Sequence, residues 1–254
     1  MTPLVYQEDK RRRSDKIVSF DYDQPYPSLE SHRPMHNTPD AKPINHRTLV
    51  GQQRRERTRQ KILQAALRVF ARKGAEAPLI DDFIAEAQIA RGTFYNYFRT
   101  TTELTKATVE WLSADFIESI EIELGDQQDP LQRLSTGLQL WLHKAAHDPA
   151  WAAFVARPEF IQDLPLDPVR RDLRAGKQSG LFRFPSERVA LDLLTGTLIL
   201  AMRGHASGDA PPDYVKDIAG IVLQGLGVEP ASIAAALTRP LPAMRRPPVS
   251  LPGG

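Results

Sequence analysis

Residues 76–104 carry two short apolar periodicities separated by a break of only a few residues, and this spacing leaves the chain little choice of fold. Ile80, Phe83, Ile84 and Ala87 recur at three- and four-residue intervals, the stripe by which one helix face buries itself. After Gln88-Ile89 a second pattern starts near Ala90, in which Phe94 and Phe98 stand one turn apart and face inward. Arg91, Thr93, Tyr95, Asn96 and Tyr97 then fall mostly on other faces, and packing alone does not require them there. Two short helices joined by a tight turn, the second offering Arg, Thr, Tyr and Asn outward, match what a DNA major groove admits and reads.

The run Ile80-Asp81-Asp82-Phe83-Ile84-Ala85-Glu86-Ala87, the turn, and then Arg91-Gly92-Thr93-Phe94-Tyr95-Asn96-Tyr97-Phe98 resembles the helix-turn-helix signature of the tetracycline-repressor (TetR) family of bacterial transcription regulators. The resemblance implies an all-α protein in which an N-terminal three-helix helix-turn-helix domain is followed by a helical ligand-binding and dimerisation domain. It implies DNA contacts from Arg91, Gly92, Thr93, Tyr95, Asn96 and Tyr97. The sequence departs from the family pattern in four places. Gln88 stands at the turn glycine, Ala90 at a small hydroxyl residue, Pro78-Leu79 at the usual Thr/Ser pair, and Thr101 at a frequent lysine. These departures remove a helix cap and some phosphate contacts, not the motif.

The flanking segments give the motif a direction. A helix is expected from about Gln53 to Lys73, with Ile62, Leu63, Ala66, Leu67, Val69 and Phe70 on its buried face and Gly74 ending it. Its first turns are basic, and the resemblance sets Arg54, Arg57, Thr58 and Arg59 near the DNA backbone; Arg68 and Arg72 read as an ordinary solvated face. Past Phe98, Thr100 and Glu103 have the spacing of a capping box for a helix running towards Leu124. That helix is acidic and, by the resemblance, transmits ligand binding to the reading head. The sign change from a basic to an acidic segment marks which end of the molecule meets an anion.

From 131 to 238 the pattern is helical almost throughout. The segments 186–205 and 213–226 are apolar on more than one face, and a homodimer formed through them buries the surplus as a four-helix bundle. Gly196 reads as a point of close helix approach. Trp111, Trp141 and Phe154 are the first candidates to line an effector cavity, which suits an apolar or aromatic small molecule. Residues 1–50 and 239–254 are rich in proline and read as disordered tails around a DNA-binding domain at 51–100 and a ligand-binding and dimerisation domain at 101–238.

Composition excludes several classes of function. The absence of cysteine removes disulfides, thiol catalysis and cysteine-ligated metals. No apolar run reaches the ~18 residues that span a bilayer, and the first residues lack the apolar core of a signal peptide, so a cytoplasmic protein with no membrane partner is expected. His143 and His147 stand one turn apart without a third ligand and read as a solvated pair; His32 and His36 flank Pro34. No metal site or cofactor is assigned. No G-x-S-x-G, P-loop or G-x-G-x-x-G motif argues for catalysis. The expected function is a ligand-responsive, sequence-specific regulator, a repressor in the family's usual mode, binding a palindromic operator as a homodimer. The alternatives are a helical carrier or enzyme with a helix-turn-helix interaction module, and a non-specific nucleoid-type DNA binder.

Overall fold

The computed structural model describes residues 46–74, 78–245 and 248–252, and among these it is built from helices. Three make the N-terminal unit: α1 (His46–Lys73), α2 (Ile80–Ala87) and α3 (Arg91–Tyr95). The rest of the described chain follows with α4 (Thr101–Leu124), α5 (Pro130–His147), α6 (Pro149–Val155), a 3₁₀ turn (Pro158–Asp163), α7 (Asp167–Gln178), α8 (Glu187–Ser207), α9 (Tyr214–Gly225) and α10 (Pro230–Thr238). The basic cluster Lys10-Arg11-Arg12-Arg13, the pair His32 and His36 and most of the N-terminal tail lie outside the described residues. The first helix begins at His46, earlier than the pattern near Gln53 suggests.

Helix boundaries follow from local chemistry. Thr100 caps α4, its Oγ1 accepting from the Glu103 amide at 3.1 Å, while Glu103 Oε2 accepts from the Arg99 amide at 2.7 Å. The return bond therefore reaches one residue further back than a standard capping box. Asp129, Asp148 and Ser186 cap α5, α6 and α8 through their side chains, and Pro130 and Pro149 take first-turn positions where no amide is needed. α2 lacks such a cap because leucine has no acceptor, but Asp82 Oδ2 accepts from the Leu79 amide at 2.9 Å, which supplies half of one.

One apolar core runs without interruption from the N-terminal unit into the larger body. It takes in Ile62, Phe70, Phe83, Phe94 and Phe98, continues through Leu104 and Leu112 of α4, and reaches Phe116, Trp141, Trp151 and Phe154. A second cluster, with Leu134, Leu173, Phe182, Leu191, Val222 and Leu223, joins α5 and α7 to α8 and α9. Gly176 is essential to this second core: a Cβ there would meet the Phe182 ring at 2.2 Å. Close approach between α8 and α9 occurs at Gly225, where a Cβ would lie 2.6 Å from Leu193. Gly196, expected to permit such an approach, has no atom of the chain within 4 Å of its Cβ position.

The C-terminal segment differs from the expected disordered tail. Val249 and Leu251 are buried, and Leu241 and Met244 pack against the first core. The Val249 amide donates to the buried Asp115 carboxylate at 2.7 Å, and Arg245 donates to Glu123 through its amide (2.6 Å) and its Nε (2.9 Å). Buried Lys144, whose ammonium form is disfavoured by desolvation, bonds Asp148 at 2.8 Å and the Ser250 hydroxyl. Proline prevents a helix here, but apolar residues spaced along an extended strap can still bury, and α4 supplies carboxylate partners for its backbone amides while α5 bonds the Ser250 hydroxyl.

α8 is long and apolar enough by length and composition to cross a membrane. It carries Glu187, Arg188, Asp192 and Arg203, and one side of it packs on α5, α6, α7 and α9.

Candidate nucleic-acid interface and effector cavity

The reading head is assembled by salt bridges as well as by its core. Phe83 and Phe94 are fully buried with ring centroids 6.5 Å apart, which seats α3 on α2. Glu86 of α2 accepts from Arg68 and Arg72 of α1, each at 2.6 Å, and Asp82 accepts from Lys73 at 2.7 Å. Hydrogen bonding from Arg68, then Arg72, holds the Glu86 carboxyl below its ordinary pKa, and the bond from Lys73 does the same for Asp82. Arg68 and Arg72, expected to be merely solvated, thus clamp α1 to α2.

The turn between α2 and α3 is made by Gln88, in the left-handed region at φ 50° and ψ 54°. Its amide donates to the Ala85 carbonyl at 3.2 Å, and the next amide, of Ile89, donates to the Ile84 carbonyl at 3.3 Å. The helix is closed as a glycine would close it, at the steric cost of a Cβ in this conformation.

α3 and the residue after it then present a compact polar surface. Arg91, Gly92 and Asn96 are exposed, Tyr95 is 43% exposed, and Thr93 and Tyr97 are half-buried. Phe94 and Phe98 face the core, as their spacing predicts. No acidic residue occurs between Gln88 and Thr102, so nothing in this run repels a phosphate. Arg91 is ion-paired with Asp81 of α2, and both are largely exposed. Gly92 has nothing within 4 Å of its Cβ position, so it is not needed for contact with α1. On α1, Arg54 and Arg57 are exposed, and half-buried Thr58 donates its hydroxyl to the Arg54 carbonyl at 2.9 Å.

The larger body contains a mostly apolar cavity of about 80 Å³. Its walls come from α4 (Ile117, Ile120, Leu124), α5 (Leu134, Leu138, Trp141), α7 (Val169) and α8 (Leu194, Leu198, Met202). Of the three aromatic candidates, Trp141 lines it, with Nε1 donating to Met202 Sδ at 3.0 Å. Trp111 is half-buried and forms no part of the wall. Phe154 is also absent from the wall: it packs against Phe70 of α1, ring centroids 4.8 Å apart, so it joins the body to the reading head. Helical spacing shows that an aromatic is buried, not which of two interior surfaces it meets. The polar lining residues Glu121, Arg133 and Asp172 were not anticipated; the available signal was that Arg133 and Asp172 sit beside apolar positions, Leu134 and Leu173, on faces that must pack.

Residues 62–108, from the buried half of α1 to the first turns of α4, match the family model for bacterial regulatory proteins of the tetR family. The wider fold agrees. A crystal structure of RolR in complex with resorcinol superimposes with a TM-score of 0.63 at 26% identity, over 76% of this chain and 99% of that one. Residues 62–108 are thus a helix-turn-helix region of the tetR type. Among curated relatives, the transcriptional repressor NicS of Pseudomonas putida is 26% identical over 148 residues, 57% of this chain. The regulator YvdT of Bacillus subtilis is 37% identical over 70 residues, 28% of this chain. The matched regions span 64% and 36% of those two relatives.

Proposed function

We propose that the protein is a ligand-responsive, sequence-specific transcription regulator of the cytoplasm, a repressor that binds a palindromic operator as a homodimer. Within it, 51–100 serves as the DNA-binding domain and 101–238 as the ligand-binding and dimerisation domain. The single observation that carries this reading is the double role of α4: Leu104 and Leu112 belong to the core shared with the reading head, while Ile117, Ile120 and Leu124 of the same helix form a wall of the cavity. A molecule entering the cavity bears on the helix that seats the reading head.

Thr93, Tyr95, Asn96 and Tyr97, with Arg91 and Gly92, form the groove-facing surface, and Arg54, Arg57 and Thr58 lie on the backbone side. Val189, Leu200 and Ile221 of α8 and α9 are exposed to 49%, 68% and 59%, which supports a partner subunit on this face. The open surface over Gly196 suits the approach of a second copy. Two reading heads then meet successive major grooves ~34 Å apart on one face of the duplex. The effector acts only through a difference in affinity between conformers that match this spacing and conformers that do not. The similarity to RolR, solved with resorcinol, and to NicS, named a repressor, favours a small aromatic effector and repression.

Gel-shift titration with the DNA upstream of the protein's own gene tests the reading, at one fixed salt concentration. Wild-type protein should retard this DNA, and Thr93→Ala or Tyr95→Ala should abolish the shift while sedimentation still shows a dimer. Unchanged affinity in both variants would falsify the assignment of α3 as the reading helix.

A further inference from the structure

The cavity is apolar except at one end, where Arg133 of α5 and Asp172 of α7 meet with their side chains only 8% exposed, beside Glu121 of α4. Arg133 Nε donates to Asp172 Oδ1 at 2.9 Å, Nη2 to the two Glu121 oxygens at 2.6 and 2.7 Å, and Nη1 to the Gln127 carbonyl at 3.1 Å. Arg171 adds bonds to Glu121 Oε2 at 2.9 Å and to Asp172 Oδ1 at 3.2 Å. Among the described residues, both hydrogen bonds to the Asp172 carboxylate end on Oδ1; Oδ2 receives none. An ionised carboxylate oxygen is an acceptor only, so Oδ2 stands open to a donor.

The remaining polar atoms of the wall are engaged elsewhere. Thr195 Oγ1 donates to the Leu191 carbonyl at 2.7 Å, and Trp141 Nε1 is directed at Met202. Two arginines and two carboxylates sum to no net charge, so the cluster offers no net attraction to an ion. The apolar wall would strip an ion of water without replacing it. What the site lacks is a hydrogen-bond donor attached to an uncharged body.

Resting on the reading of this cavity as the effector site, we infer that it selects a neutral, ring-sized apolar molecule bearing a hydroxyl group, whose hydrogen is accepted by Asp172 Oδ2. Arg133 is a positioning residue: it holds Asp172 by the other oxygen. A hydroxyl donating to a carboxylate makes a charge-assisted bond, stronger than a neutral one. A molecule of the same shape without the donor leaves Oδ2 unmet.

Calorimetric titration of the full chain with phenol, anisole and benzoate tests this. Anisole replaces the hydroxyl hydrogen with a methyl group, and benzoate replaces the neutral donor with an anion. Phenol should bind, anisole at least ~10-fold more weakly, and benzoate without detectable heat. Asp172→Asn, which puts an amide in place of the carboxylate, should bring the phenol-to-anisole ratio towards one. Gly137→Val, placed where the nearest side-chain atom is 3.9 Å from a new Cβ, should fill the cavity and remove phenol binding. Melting curves of both variants establish that they fold. Equal affinity for phenol and anisole, tighter binding of benzoate, a ratio unchanged in Asp172→Asn, or no binding of any probe each overturns the inference. A parallel gel-shift separates the two readings: phenol that binds through Asp172 but leaves the DNA complex intact removes the effector role and keeps the subsite. Release of DNA by phenol and anisole alike does the reverse.

Discussion

Phe70 of α1 and Phe154 of α6 lie with ring centroids 4.8 Å apart, and Phe70 also meets Phe83 of α2 at 5.2 Å. This row of rings ties the larger body to the reading head at a point distant in sequence from the covalent link at Thr100. The head is therefore held twice, by the start of α4 and by α6, and its tilt is set by both.

Removing one ring separates stability from coupling. Phe154→Ala should cost about 3–5 kcal/mol of folding stability by leaving a cavity in a fully packed core. It should also weaken the linkage between effector and DNA, measured as the ratio of operator affinities with and without effector. A variant that melts earlier but keeps the full ratio would assign Phe154 to packing alone.

Gln88 sits where a side chain is strained. Gln88→Gly should be neutral or raise stability by up to about 1 kcal/mol in chemical denaturation, because relief of the left-handed conformation exceeds the entropy glycine adds to the unfolded chain. A loss of more than that would show that the glutamine side chain makes a contact which compensates for its backbone.

The clamp between α1 and α2 carries a pH signature. Glu86 and Asp82 have pKa values below their ordinary ones in the folded state, so the unfolded chain takes up their protons first as the pH falls. Their contribution is complete above the unfolded carboxylate range near about pH 4 and is lost as the pH drops through the folded values. Glu86→Gln should accordingly lower the melting temperature at pH 7 and make progressively less difference below about pH 4. A difference that persists at the acid end would mean that shape, not charge, holds α2.

Arg54 and Arg57 are exposed on the N-terminal half of α1 and make no base contact in the proposed docking. Replacing either by Ala should weaken binding to all DNA sequences alike and reduce the slope of log affinity against log salt by about 1 per neutralised contact. Thr93→Ala, in contrast, should lower affinity for the operator more than for competitor DNA.

The reading head was largely legible in the sequence because its contacts are local. Phe94 and Phe98 lie one turn apart, and such spacing maps directly onto a helix face. The ion pair between Arg91 and Asp81 was not legible, since it depends on how two helices cross. The cavity wall draws on several helices, so no single periodicity reveals it: Trp141 lines the wall, whereas Phe154 packs on Phe70 instead. The strap ending at Leu251 was hidden by its prolines: composition registers the lack of helix but not the buried Asp115 that receives the Val249 amide.

The central claim, a two-fold pair of reading heads that recognise specific DNA, is tested most directly by selecting bound sites from random duplexes. The expected result is an enriched inverted repeat whose half-sites lie about 10 bp, or a multiple of it, apart, with affinity at least ~10³-fold above competitor DNA at the same salt. Recovery of no shared sequence, or of a single unrepeated half-site, would contradict it.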